Sequence, residues 1–147
     1  HAEAAGPALA DYEPTDPQTA WHLGQFIEHV RSISADPVIV RKNWLSAYDY
    51  VTDKGAIALN DFAKQQEPFA QIGERQVSVQ VSSVIRASDN SFRIAWEERH
   101  YANGQFERTE RWSAILTIVI QTPTTADALR KNPLGIFVHA LNWSKEL

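Results

Sequence analysis

Five histidines, His1, His22, His29, His100 and His139, are the residues in this 147-residue chain whose types first suggest chemistry. Their spacing suits a metal poorly. No His-Glu-x-x-His motif occurs, no two histidines lie three or four apart, and there is no cysteine. Thiolate metal sites, disulfides and cysteine nucleophiles are therefore excluded. His22 and His29 stand two helical turns apart and can share a face, where they read as polar residues beside an apolar stripe. His100 falls at the tip of a charged hairpin and His139 inside a terminal strand, both as hydrogen-bonded structural groups.

Nucleotide and hydrolase chemistry lack their motifs as well: there is no glycine-rich phosphate loop, no Gly-x-Ser-x-Gly elbow, and the six glycines are dispersed. The remaining enzymatic possibility is acid-base work of the kind small isomerases and dehydratases perform in a cone of helices and curved sheet. Tyr48, Asp49, His100 and His139 are its candidates, although no spacing ties one to another. No cofactor is implied. A net charge of -4, with Arg41-Lys42 and Arg130-Lys131 as isolated cationic pairs, argues against nucleic-acid binding, which needs a clustered cationic surface.

The elements that would position these residues are legible from periodicity. His1 to Thr15 is rich in Ala, Pro and acids and reads as a flexible tether, leaving 16–147 as a single domain. A first residue other than Met suggests an excised fragment. Asp16-Pro17 is expected to cap and open a helix whose stripe is Ala20, Leu23, Ile27 and Val30, widened by Phe26 and Ile33. Asp36-Pro37 repeats that chemistry ahead of Val40, Trp44, Ala47, Tyr48 and Val51. Thr52 to Gly55 interrupts, a third helix carries Ala58, Leu59 and Phe62, and Pro68 closes the helical half.

From Val77 the period becomes two. Val77, Val79 and Val81 alternate with polar residues up to a turn at Ser88-Asp89-Asn90, then Phe92, Ile94 and Trp96 do the same. A long strand from Gln105 to about Gln121 becomes apolar on both faces from Ala114, as a central strand does. Charge favours a three-residue loop at Ala102-Asn103-Gly104, with Arg99 opposite Glu107 and Glu98 opposite Arg108. A two-residue loop would place Trp96 and Trp112 on opposite faces. After a short helical turn at Ala126 to Arg130 and a tight turn at Asn132-Pro133-Leu134-Gly135, a last strand from Ile136 to Trp143 is expected to pair inside the sheet. The fold class is α+β, with N-terminal helices covering one face of a curved antiparallel sheet of about four strands. Trp44, Tyr48, Trp96 and Trp112 fall on apolar faces as core. Trp21 falls opposite its helix's stripe and is a candidate partner contact.

Asp16 to Ile33 with Phe26-Ile27 and Val30-Arg31-Ser32, then Asn43-Trp44 and Ala47-Tyr48, resemble the opening helices of TrbF-like conjugal transfer proteins. Asn132 to Val138 followed by Leu141 to Ser144 resembles the Asn-Pro-Leu-Gly turn and terminal strand of that family, and more loosely those of the related eighth VirB component. The resemblance implies an NTF2-like fold and a periplasmic domain of a bitopic inner-membrane protein, anchored upstream, in a Gram-negative envelope. It also implies a scaffold that self-associates as a dimer or higher oligomer and contacts other type IV secretion channel components, without turnover or cofactor. Asn132, Pro133, Leu134 and Gly135 are the residues it places near an assembly surface. A small-molecule-binding or isomerase-type domain on the same fold is the alternative.

Overall fold

The structure is a computed structural model that describes residues 12–147, so most of the expected tether lies outside the described residues. Among the described residues, three helices precede a four-stranded antiparallel sheet with the order β1-β2-β3-β4: α1 (Asp16–Arg31), α2 (Pro37–Ala47), α3 (Asp53–Gln66), β1 (Arg75–Ser88), β2 (Ser91–Ala102), β3 (Gln105–Ile120), α4 (Ala126–Lys131) and β4 (Ile136–Lys145). The α+β architecture follows the expectation.

Helix α1 is capped by Thr15 rather than Asp16. Thr15 accepts from the Gln18 amide while the Gln18 side chain accepts from the Thr15 amide, a reciprocal capping box. Asp16 is thereby free to pair with Arg86 of β1 at 2.8 Å, and that hydrogen bond holds its carboxyl below the usual range. Asp36 caps α2 as expected, accepting from the Val38 amide at 2.9 Å. Val51 does not extend α2. A 3-10 turn over Tyr48–Tyr50 intervenes, and Val51 forms a parallel bridge to Val138 of β4. Thr52 then caps α3.

Leu23, Phe26, Ile27 and Val30 of α1 meet Phe92, Ile94 and Trp96 of β2 and Leu116 and Ile118 of β3 in one core. Each fully buried side chain of this size contributes roughly 1.5–3 kcal/mol. Three of the sheet's bulges decide which residues reach that core. The β2–β3 loop is the two-residue Asn103-Gly104, both at positive φ (50 and 80), as a hairpin turn of that length requires. Ala102 faces Gln105 and Tyr101 faces Phe106, but His100 faces Arg108, leaving Glu107 as the extra residue. The expected three-residue loop is thus replaced by a two-residue loop plus a bulge. Either arrangement puts Trp96 and Trp112 on one face; here they sit directly opposite, with ring centroids 6.4 Å apart and planes within 10°. Arg99 meets Thr109, and Glu98 meets Glu110 rather than Arg108.

The other two bulges lie between Val81 and Ser83 and opposite Thr117/Ile118, where Val138 pairs Ile118 but Ala140 pairs Thr117. Each coincides with a three-residue skip in the apolar pattern, from Val81 to Val84 and from Val138 to Leu141. Strand β4 is an edge, not an interior strand, and its open edge is met by the start of α3. The Thr52 amide donates to Val138 O at 3.0 Å, and a Cβ at Gly55 would stand 2.3 Å from that same oxygen.

Gly55→Ala is therefore expected to destabilise the domain by about 2–4 kcal/mol, by forcing α3 off the edge strand. Gly24→Ala, whose Cβ would sit at an ordinary 3.9 Å from Val81, should be neutral or stabilising by up to about 1 kcal/mol. Urea unfolding of the two variants checks the contrast.

Candidate functional site: the Asn132–Gly135 turn, Trp21 and a buried ionic network

The Asn132–Gly135 turn is built from the inside. Asn132 ends α4, is 3% exposed, and its side-chain amide donates to Asp49 O at 3.1 Å and Ile136 O at 2.9 Å. The Gly135 amide closes the turn on Asn132 O, and Gly135 O accepts from the Gln121 amide at 2.8 Å. Gly135 has φ of 63, and a Cβ there would stand 2.1 Å from Gln121 O. Asn132 and Gly135 therefore fix the turn, and a bulky replacement at Gly135 breaks the fold before it can report on contact. Pro133 is exposed and Leu134 half-buried, so these two present the turn to solvent. The Tyr12 hydroxyl donates to Leu134 O at 3.0 Å, bringing the chain ahead of α1 onto the same surface. Trp21 is 63% exposed on α1.

Ile136 O has a second donor, His22 Nε2 at 2.9 Å. His22 is 1% exposed and stacks on Tyr50 with centroids 4.3 Å apart. His29 lies near the same ring at 6.1 Å, so the two histidines share a face through Tyr50. Burial pushes the His22 imidazole down to about 4, against the bond to Ile136 O.

The four acid-base candidates are dispersed. Tyr48 and Asp49 line a groove of about 380 Å³ beside the turn, with Tyr48 bonded to Asn60. His139 lines a separate groove and bonds Thr52 Oγ1 at 2.8 Å. His100 is not at an exposed tip: it is 2% exposed and belongs to an ionic network that the sequence reading missed. Glu98, 1% exposed, accepts from Arg31 Nε at 2.7 Å and Nη2 at 3.2 Å, from Trp96 Nε1 at 2.8 Å and from His100 Nε2 at 3.0 Å. His100 Nε2 also faces Glu110 Oε1 at 3.2 Å, so one N–H lies between the two carboxylates that the register sets opposite each other. Glu110 also accepts from Arg108 Nε at 2.6 Å and from Trp112 Nε1 at 3.1 Å. The Arg31 guanidinium lies 4.0 Å from the Trp112 ring centroid and 5.1 Å and 5.4 Å from those of Trp143 and Phe62.

Burial works to raise the Glu98 pKa, but hydrogen bonds from His100, Arg31 and Trp96 and the Arg31 charge outweigh it and hold the carboxyl at about 2. Glu98, His100 and Glu110 are close enough together to suggest a metal triad, yet the surrounding donors oppose one. A metal on Nε2 would move the imidazole proton to Nδ1. That atom faces Arg75 Nη2 at 3.2 Å and Arg108 Nη2 at 3.5 Å, and guanidinium groups only donate. The space between helices and sheet beside Arg31, Arg75 and Glu98 is about 30 Å³, room for a water rather than a substrate. The signal for this network was in the alternation: with Trp96 inward, Glu98 and His100 must follow it.

The family model described as VirB8 protein matches residues 1–146. The chain belongs to the VirB8 family. Within it, the chain is 23% identical over 128 residues to the conjugal transfer protein TrbF of Rhizobium radiobacter, covering 85% of this chain and 58% of that one. It thus spans about three-fifths of the length of that relative. This VirB8-family domain shares the fold of a TraE protein solved in complex with 4-(1H-pyrrol-1-yl)pyridine-2-carboxylic acid, at a TM-score of 0.78 and 18% identity over 92% of this chain and 100% of that one. It also shares the fold of Agrobacterium tumefaciens VirB8, at a TM-score of 0.74 and 15% identity over 85% and 88%. The NTF2-like, TrbF-like expectation is met.

Two acid-sensitive steps follow from the buried groups. A depressed folded pKa gives stability that is present above the unfolded value and lost as pH falls through the folded one. For His22 that window runs from 6.5 to about 4 and is worth about 3 kcal/mol; for Glu98 it runs from 4.5 to about 2. Urea unfolding across pH should show both declines, and His22→Gln should reduce the first, leaving the part that His29, also depressed by burial, contributes, without altering the second. Arg31→Met, which strands Glu98, should cost about 3–5 kcal/mol at pH 7.

Proposed function

We propose that this domain is an assembly and scaffold component of a type IV secretion channel, working in the periplasm at the inner membrane through protein-protein contacts. The observation that carries the reading is the match of the VirB8 family model to nearly the whole chain. Supporting it, the interior where an NTF2-like fold could hold a substrate is filled by the domain's own Arg31, Glu98 and tryptophans, so the outer surface is what remains for recognition. The contact surface is the exposed part of the Asn132–Gly135 turn, Pro133 and Leu134, held in place by Asn132 and Gly135, together with Trp21 of α1. A membrane anchor upstream raises the effective concentration of neighbouring copies, so a dimer or higher oligomer that is weak in solution suffices in the envelope. The domain binds its partners without turnover, cofactor or nucleic-acid contact.

A small-molecule-binding reading draws on one observation, the TraE complex with a pyridine carboxylic acid. Here the groove of about 380 Å³ beside the turn, rather than the filled interior, is the place to look for such a ligand.

The test uses the full-length protein, purified in mild detergent from its native envelope, with partners identified by mass spectrometry. Trp21→Ala and Pro133→Glu change exposed side chains, so they should retain the parent melting temperature while recovering several-fold less of the secretion-channel components. Undiminished recovery from both would remove the turn and Trp21 from the contact surface. Recovery of no channel component by the parent would refute the scaffold reading.

A further inference from the structure

We infer that the outward face of α2 docks an acidic, amphipathic helical segment of another protein. Helix α2 buries Val40, Trp44 and Ala47. At about 100° per residue, Val38, Ile39, Lys42 and Leu45 fall on the opposite side. Val38 is 72% exposed, Leu45 61% and Ile39 44%, and Lys42 is exposed among them. A surface helix ordinarily presents a polar face to water, whereas a helix apolar all round is covered on both sides. The exposed side of α3 shows the ordinary case, with Asp53, Lys54, Asn60, Asp61 and Lys64 around a single Ile57. On α2 the same side is mainly aliphatic.

Charge selects the occupant. Helix α2 carries Arg41 and Lys42, both exposed, and no acid along Pro37–Ala47, within a chain of net charge -4. An anionic bilayer would attract two cations but repel the rest of the domain. A second copy packed face to face would set two identical patches against each other, each carrying the cations Arg41 and Lys42 and no acid to meet them. A partner bearing Asp or Glu beside an apolar stripe satisfies both features. The stripe from Val38 to Leu45 spans about 10 Å, two turns of a facing helix. This surface is independent of the turn and Trp21, so either assignment can fail alone.

The test is an NMR titration of the domain with a synthetic amphipathic helix that has leucines on one face flanked by glutamates, and with its lysine-flanked counterpart. The glutamate helix should shift resonances on α2, with binding weakened about tenfold or more in Lys42→Glu and in Val38→Ser/Leu45→Ser. The lysine helix should not bind. All three substituted positions are exposed, and melting temperatures confirm folding. Equal binding of the two helices, shifts that map elsewhere, or no binding would overturn the proposal. Binding to phosphatidylglycerol vesicles that depends on Val38 and Leu45 would replace it with a membrane surface. Self-association relieved by the same variants would replace it with a second copy.

Discussion

A carboxylate sealed inside the domain sets the terms for the rest of the structure. Glu98 on β2 is 1% exposed, and an unpaired charge in that position would cost several kcal/mol. The fold compensates from almost every direction. Helix α1 ends with Arg31 on the carboxylate, β2 supplies Trp96 and His100, and rings from β3, β4 and α3 surround the guanidinium. The pair therefore specifies where the end of α1 must lie on the sheet. A hydrophobic substitute could match its stability, but any hydrophobic side chain would fill that space without fixing the angle. His100 extends the same logic to Glu110, because two carboxylates opposite one another in a ladder need a donor between them.

That solution has a functional corollary. Beside Arg31, Arg75 and Glu98 the space between helices and sheet is only about 30 Å³, the rest being taken up by charged and aromatic side chains that hydrogen-bond one another. The groups available to another molecule lie outside: Pro133 and Leu134 on a turn fixed by Asn132 and Gly135, Trp21 on α1, and the aliphatic face of α2. The bulges serve the same division of labour, curling the sheet around the core and disrupting both edge strands against casual pairing.

Much of this was legible in the sequence, and the exceptions have physical causes. Asp36-Pro37 and the stripe from Leu23 to Val30 gave α1 and α2 because capping and periodicity are local. Asp16 was misread as a cap since Thr15 beside it could form the reciprocal bond with Gln18, and Asp16 found a partner seventy residues away in Arg86. The β2–β3 register was misjudged because surface charge pairs worth roughly 0.2–1 kcal/mol were weighed. A two-residue loop with Glu107 bulged out keeps Trp96 and Trp112 on one face just as a three-residue loop does, so only those weak pairs separated the two arrangements. The bulges had left a trace, the skips from Val81 to Val84 and from Val138 to Leu141, whereas the network needed a helix and two strands in three dimensions. At the turn, sequence showed a motif without distinguishing Asn132 and Gly135, which hold it, from Pro133 and Leu134, which display it.

The claim at the centre of this account is that the domain acts through its outer surface, and site-specific photocrosslinking in the intact envelope tests it most directly. A crosslinking amino acid would replace Trp21, Pro133 and, as a control, the exposed Asp61 of α3 in the full-length protein. The account predicts crosslinks to secretion-channel components from positions 21 and 133 and none from 61. Silence at both positions in a protein that still supports secretion would contradict it.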